Sequence, residues 1–204
     1  MKIAIIDYGM GNIHSVSKAV ELCGAKPVVA NKKSQLGSCA KIILPGVGAF
    51  DDAVTELEKL GLAAAICEQV KNKKPFLGIC LGMQLLFESS QEAKSKAGLG
   101  ILKGQVVKFS AKPGRKVPHM GWNNLDDIDP GCLLLKGVGG NEQVYFCHSY
   151  YPEPIDKDVI AATCNYGLKF ACCLVRENVY GVQFHPEKSQ AVGLKIIKNF
   201  VQLC

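Results

Sequence analysis

The chain has 204 residues, 48% of them apolar, and a formal net charge of +6, which suits one well-buried domain and barely two. Its positive charge is spread along the sequence with no basic stripe among aromatics, and no apolar run approaches membrane-spanning length, so neither nucleic acid nor a membrane is an expected partner. Ten cysteines include no Cys-x-x-Cys pair, and the opening residues Lys2 to Asp7 turn charged too soon for a signal peptide, so the reading is reduced thiols in a cytoplasmic protein with no metal and no cofactor.

The first half alternates strand and helix. Residues 3–6 predict a buried strand, Asn12 caps a helix running to about Cys23, and 27–30 and 41–44 predict two more strands. Residues 51–70 read as helical with a break near Gly61, 76–79 as a fourth strand, and 81–88 as a helix. Short βα units of this kind imply a parallel sheet covered on both faces, with the reactive crevice beyond the carboxyl ends of the strands. The second half reads as strands at 106–109, 144–149, 159–164, 170–175 and 179–184, taken as antiparallel extensions of the same sheet, before a last helix at 190–203. The expectation is a single α/β domain over 1–204 with a mixed, mostly parallel sheet flanked by helices. Cys67, Cys147, Cys172 and Cys173 lie in apolar runs and read as small core residues.

Residues 75–84, Pro-Phe-Leu-Gly-Ile-Cys-Leu-Gly-Met-Gln, carry the sharpest chemical signal. An apolar strand ends in Cys80, flanked two residues away on each side by Gly78 and Gly82, and a helix-forming segment follows. This is a strand–turn–helix elbow with a thiol at its apex, and the glycines remove side chains that would clash. The start of the helix would favour a thiolate at Cys80. A nucleophilic thiol needs a base that also protonates the leaving group. Among four histidines, His185 ends a strand and is followed by Pro186 and Glu187. The proline stiffens the corner, and a carboxylate two residues on can hold the second imidazole nitrogen. The tripeptide alone would be a surface turn; beside the elbow it reads as base and orienting acid.

An elbow nucleophile also needs an oxyanion hole. One donor is the N–H of Leu81, and Pro45-Gly46-Val47-Gly48, which follows a strand, offers Val47 as the second. Gln84 falls one turn past Cys80 on the same helix face, where it would touch the acyl group. Glu92 lies beyond Ser89-Ser90, where the helix is expected to end. His14 reads as a partly exposed structural residue. His119 and His148 are not at metal-ligand spacing, and Gly9-Met10-Gly11 lacks the third glycine of a dinucleotide loop.

Taken together, residues 45–48, 78–84 and 181–187 resemble the class I (triad-type) glutamine amidotransferases, in that family's order. The resemblance narrows over residues 7–12, 85–90, 118–123, 145–150 and 186–190 to the group of glutaminase subunits of imidazole glycerol phosphate synthase, and covers essentially the whole chain. It implies Cys80 as nucleophile, His185 as base and acid, and Glu187 as orienting carboxylate, acting on glutamine through a glutamyl thioester. It further implies Gly46, Gln84 and Glu92 around the substrate, with backbone help near Ser149 and Tyr150. Trp122, Tyr145 and Lys188 match positions used against a cyclase subunit, a (β/α)₈ barrel, in a heterodimer. Only one helix follows the His-Pro-Glu turn, so a separate ammonia-using partner is expected. A glutaminase of anthranilate or aminodeoxychorismate synthase is the alternative, disfavoured by the 118–123 and 185–189 segments.

Overall fold

The computed structural model describes residues 1–112, 115–140 and 142–204. Its first half runs β1 (Lys2–Ile6), α1 (Ile13–Leu22), β2 (Lys26–Ala30), α2 (Ser34–Gly37), β3 (Lys41–Leu44), α3 (Phe50–Lys59), α4 (Leu62–Lys71), β4 (Phe76–Ile79) and α5 (Leu81–Gln84). The second half runs β5 (Ser89–Ser90), β6 (Gly104–Lys108), β7 (His119–Asn124), β8 (Gln143–His148), β9 (Tyr150–Pro154), β10 (Ile160–Asn165), β11 (Lys169–Arg176), β12 (Val179–Val182) and α6 (Gln190–Gln202). Seven strands form the central sheet in the order β10-β11-β12-β4-β3-β1-β2. The five from β12 to β2 are mutually parallel, while β10 and β11 add antiparallel pairs at one side.

Alternation along each strand divides the apolar side chains between two faces. Ile3, Ile5, Ile43, Leu77, Ile79 and Val182 pack with α1 and α6, whereas Ala4, Ile6, Ile42, Leu44 and Phe76 pack with α3, α4 and the segment after Cys80. Helix α3 shows why such segments fold as helices: Phe50, Ala53, Val54 and Leu57 fall on one stripe and are buried. Gly61, at φ +67°, ends that helical run and starts α4, as the break read there anticipates. On the other face Lys41 is buried and its Nζ takes the Phe200 carbonyl at 2.7 Å, a cation at the C-terminal end of α6.

The second half departs from the sequence reading. Only the strands at 160–165, 169–176 and 179–182 extend the central sheet, and the last of them is parallel to β4. The strand read at 106–109 belongs to a separate sheet, β5-β6-β9, and the one read at 144–149 pairs with β7 in a two-stranded ribbon. The helix expected over 81–88 stops at Gln84, because residues further on take its carbonyls: Leu99 N–H bonds Leu85 and Leu102 N–H bonds Leu86. Cys172 and Cys173 are core residues, but Cys67 and Cys147 are only half-buried. All ten cysteines are free thiols, and no helix among the described residues is long and apolar enough to cross a membrane.

At the elbow the chain folds back on β3 at very short range. A Cβ on Gly82 would lie 1.9 Å from the Leu44 carbonyl oxygen, and one on Gly78 would lie 2.6 Å from the Gly82 oxygen. Both obstacles are backbone and cannot swing aside. Gly82→Ala is therefore expected to cost about 3 kcal/mol in urea unfolding. Gly37→Ala, in α2 with nothing within 4 Å of its added methyl, should stay within about 1 kcal/mol of the parent.

Candidate active site

Cys80 sits at φ 54°, ψ −110°, a backbone state that residues with side chains rarely adopt. It is held there by Cys80 N–H to Val182 O at 2.8 Å, and by Met83 and Gln84 N–H to the Cys80 carbonyl at 3.0 and 3.2 Å. The residue is buried, with its sulfur on a cavity of about 330 Å³ lined by Val47, Leu81, Gln84, Glu92, His148 and His185, among others. Because α5 has only four residues, its dipole contributes little at Cys80, contrary to the expectation from a longer helix. Side chains must supply the electrostatics instead.

They do so through His185 and Glu187. The corner after β12 continues into a single 3-10 turn, Pro186–Lys188, and is clamped to the ribbon. His185 N–H bonds the Tyr145 carbonyl at 2.9 Å, Ser189 Oγ donates to the His185 carbonyl at 2.6 Å, and Tyr145 N–H bonds Ser189 Oγ at 3.0 Å. The His185 and Glu187 side chains are 3% and 1% exposed, and Nδ1 lies 2.9 Å from Oε1. Burial works against an imidazolium here, yet the side-chain contacts with Cys80 and with Glu187 outweigh it and push His185 up to about 10. Glu187 Oε2 is buried with no hydrogen-bond partner among the described residues, so its carboxylate is spent on the imidazole alone. Sulfur, imidazole and carboxylate thus meet in one pocket from three segments.

The remaining predicted residues are distributed around them. Leu81 N–H makes no hydrogen bond among the described residues and stays available beside the sulfur. Val47 differs from expectation: its N–H donates to the Met10 carbonyl at 3.4 Å rather than standing free over Cys80. Gly46 lies against Tyr8, whose hydroxyl donates to the Pro45 carbonyl at 3.1 Å and whose pKa burial, with the nearby Cys80 sulfur, drives far up. Gln84 Nε2 donates to the Tyr150 carbonyl at 3.0 Å and to Gln183 Oε1 at 3.1 Å, which leaves its own Oε1 for a ligand. Glu92 reaches the same cavity from a turn after β5, and its Oε2 accepts the Phe50 N–H at 3.0 Å at the start of α3. Burial raises its carboxyl, against the pull of that N–H. The Ser149 carbonyl is already taken by Phe109 N–H at 3.0 Å.

Trp122, Tyr145 and Lys188 form one outward cluster beside the pocket. Trp122 and Tyr145 are register partners on the ribbon with ring centroids 6.0 Å apart, and Lys188 Nζ lies 5.8 Å over the Tyr145 ring. Trp122 and its neighbour Met120 are 43% and 61% exposed. Two features escaped the sequence reading. His119 and His148 contact each other, Nδ1 to Nε2 at 3.0 Å, and Gln183, fully buried, points Nε2 at the Cys80 sulfur 3.7 Å away. The two histidines are 29 positions apart, so only ribbon pairing reveals them; Gln183 stood inside a quoted motif without a role.

Comparison with known proteins agrees with this geometry. Residues 4–203 match the family model "Glutamine amidotransferase class-I". The chain is 47% identical over 200 residues to the imidazole glycerol phosphate synthase subunit HisH of Trichormus variabilis, covering 98% of this chain and 94% of that one. It is 49% identical over 201 residues to the subunit of the same name from Moorella thermoacetica, with the same coverage. Among solved structures, that of PurLQS from Thermotoga maritima superposes with a TM-score of 0.73 at 21% identity, over 98% of this chain and 95% of that one, a likeness of fold. Fold and family match agree that this is a glutamine amidotransferase, and the chain belongs to the class I glutamine amidotransferase family, in its HisH group.

Because the folded His185 pKa is raised, the stabilisation it contributes is complete below its ordinary value of 6.5 and is lost as pH climbs through about 10. Imidazole resonances followed by NMR should report a His185 midpoint far above 6.5. In Glu187→Gln that midpoint should fall by at least about one unit; an unmoved midpoint would remove Glu187 from holding the charge.

Proposed function

We propose that this chain is the glutaminase subunit of an imidazole glycerol phosphate synthase. The observation that carries the reading is the meeting of Cys80, His185 and Glu187 in a pocket rimmed by Gln84 and Glu92. The Cys80 sulfur attacks the side-chain carboxamide carbon of glutamine, and the carbonyl π-electrons move to oxygen. His185, charged and held by Glu187, gives its proton to the departing amine, so ammonia leaves and a glutamyl thioester remains. Neutral His185 then takes a proton from water, which attacks the thioester and releases glutamate with the thiolate restored. No cofactor or metal takes part in this sequence.

Leu81 N–H is ready to receive the oxyanion. Val47 N–H is its proposed second donor once the peptide turns away from Met10, a movement that Gly46 and Gly48 on either side make inexpensive and a 3.4 Å bond barely resists. The proposed partner is a (β/α)₈-barrel cyclase subunit that uses the ammonia, docked in a heterodimer on Trp122, Tyr145 and Lys188, beside the pocket mouth. Free ammonia would be protonated and lost to water in the cytoplasm, so delivery across an interface fits the chemistry.

Cys80→Ala should lower glutamine-dependent synthesis by the assembled complex at least about 10³-fold while sparing synthesis from added ammonia. Loss of both would show that the residue serves folding or docking instead. Glutamine turnover by the isolated chain should be low and should rise when the cyclase and its substrate are added. Equal turnover with and without the loaded partner would contradict a donor that must be turned into place.

A further inference from the structure

Four polar side chains that the triad does not use are nearly or fully buried around the pocket: Gln84, His119, His148 and Gln183. Burying an amide or imidazole without partners is costly, so the direction of every hydrogen bond among them is constrained. An amide's two ends have the same shape, and only its neighbours fix which is nitrogen. The Tyr150 carbonyl oxygen settles it, because a carbonyl can only accept. It receives Gln84 Nε2 at 3.0 Å and His148 Nδ1 at 2.8 Å. Gln84 therefore presents nitrogen to Gln183 as well, Gln183 must answer with Oε1 at 3.1 Å, and its Nε2–H is left facing the Cys80 sulfur at 3.7 Å.

We propose that Gln183 is a catalytic residue of this site, donating its amide N–H to the Cys80 sulfur and holding it as the attacking thiolate, with the direction of donation imposed by the Tyr150 carbonyl through Gln84. The inference rests on the glutaminase reading only for the identity of the reaction. A thiol proton at Cys80 has the Cys147 carbonyl as acceptor at 4.0 Å, too long to hold it firmly, whereas a thiolate is met by donors from Gln183 and His185. The chain of bonds continues outward from the same carbonyl. His148 donates to it through Nδ1, so His148 Nε2 accepts from His119 Nδ1, and His119 Nε2 accepts from Asn123 Nδ2 at 3.4 Å. His148 and His119 are positioning residues that act through Tyr150, and Asn123 stands next to exposed Trp122 on the ribbon.

The test is alkylation of Cys80 by iodoacetamide across a pH series, in the full chain and in Gln183→Met and Gln183→Leu, with the adduct located by mass spectrometry. His185 and Tyr8 are close enough to the sulfur to feel its charge, and His148, Glu92 and Lys188 stand on the pocket wall. They are common to parent and variants, so the difference isolates Gln183. The midpoint of the rate profile should rise by about one unit, and the rate at pH values below the parent's midpoint should fall about tenfold. In the complex, kcat should fall about tenfold with glutamine KM changed less than threefold. Profiles that superpose on the parent's would overturn the proposal. Alkylation does not require glutamine turnover, so a parent complex that fails to hydrolyse glutamine would defeat the functional reading separately. If Gln183→Leu does not fold, Gln183→Met, closer to glutamine in length, carries the comparison.

Discussion

The whole site depends on a steric contact between two stretches of backbone. The turn after β4 rests on the end of β3, with Gly82 so near the Leu44 carbonyl that no side chain fits between them. That contact forces the chain to reverse within a few residues, and the reversal leaves Cys80 in a positive-φ conformation worth roughly 1–3 kcal/mol of strain. The surrounding structure over-determines it: Cys80 is bonded through its N–H to β12 and through its carbonyl to two amides of its own turn. The same reversal points the Leu81 N–H and the sulfur into one cavity. Strain, a cavity-lining thiol and an unbonded N–H beside it are one geometric consequence.

The imidazoles around the pocket show how environment, rather than residue type, sets charge. His185 is pushed up to about 10 although it is buried, because sulfur and carboxylate partners outweigh desolvation. Burial takes His119 down to about 4 and His148 down to about 3, the latter against the pull of the Tyr150 carbonyl. Both stay neutral at physiological pH, with every ring nitrogen given a defined donor or acceptor task. The result is a single charged imidazole beside the sulfur, where a second would repel it. His148 is near enough to feel His185, and its neutrality leaves His185 without a second charged imidazole beside it.

What could be read from the sequence was local. The parallel half is legible because each strand is a short apolar run before a turn, and the elbow because two glycines bracket a cysteine. The corner at His185 is legible because base, proline and acid are contiguous. The misreadings share a cause in distant segments. Leu85, Leu86 and Phe87 look helical, but the 98–102 stretch claims their carbonyls, and Gly98 packs so tightly that an added Cβ would lie 2.1 Å from the Phe87 oxygen. β9 reads Tyr-Tyr-Pro-Glu-Pro, and two prolines disguise a strand. β7 has half-exposed asparagines and an exposed methionine and tryptophan on one ribbon, so its apolar signal is weak. Gln183 lies between two buried apolar residues, Val182 and Phe184, and nothing local distinguishes an amide aimed at sulfur from a strand-end polar residue.

The arrangement of the 46–48 loop bears on how a docked partner would act under the proposed function. Val47 is 42% exposed, so turning its peptide neither opens nor fills the core, and the bond surrendered to Met10 is a long one. If the donor-inward state is held to one molecule in a hundred, a partner must favour it by only about 2.7 kcal/mol to make the two states equal. One well-packed aromatic anchor commonly contributes about 2 kcal/mol or more to an interface. The exposed Trp122 ring, stacked edge-on against Tyr145, offers such an anchor on the strand pair whose Tyr145 carbonyl holds the His185 amide. A partner closing over that ring would press on the backbone that carries the His185 imidazole, and only the part of its docking energy that differs between the two Val47 peptide states would shift them. The ends of β3 and β12 are already fixed at the elbow, by the Gly82–Leu44 contact and the Cys80 N–H to Val182 O bond.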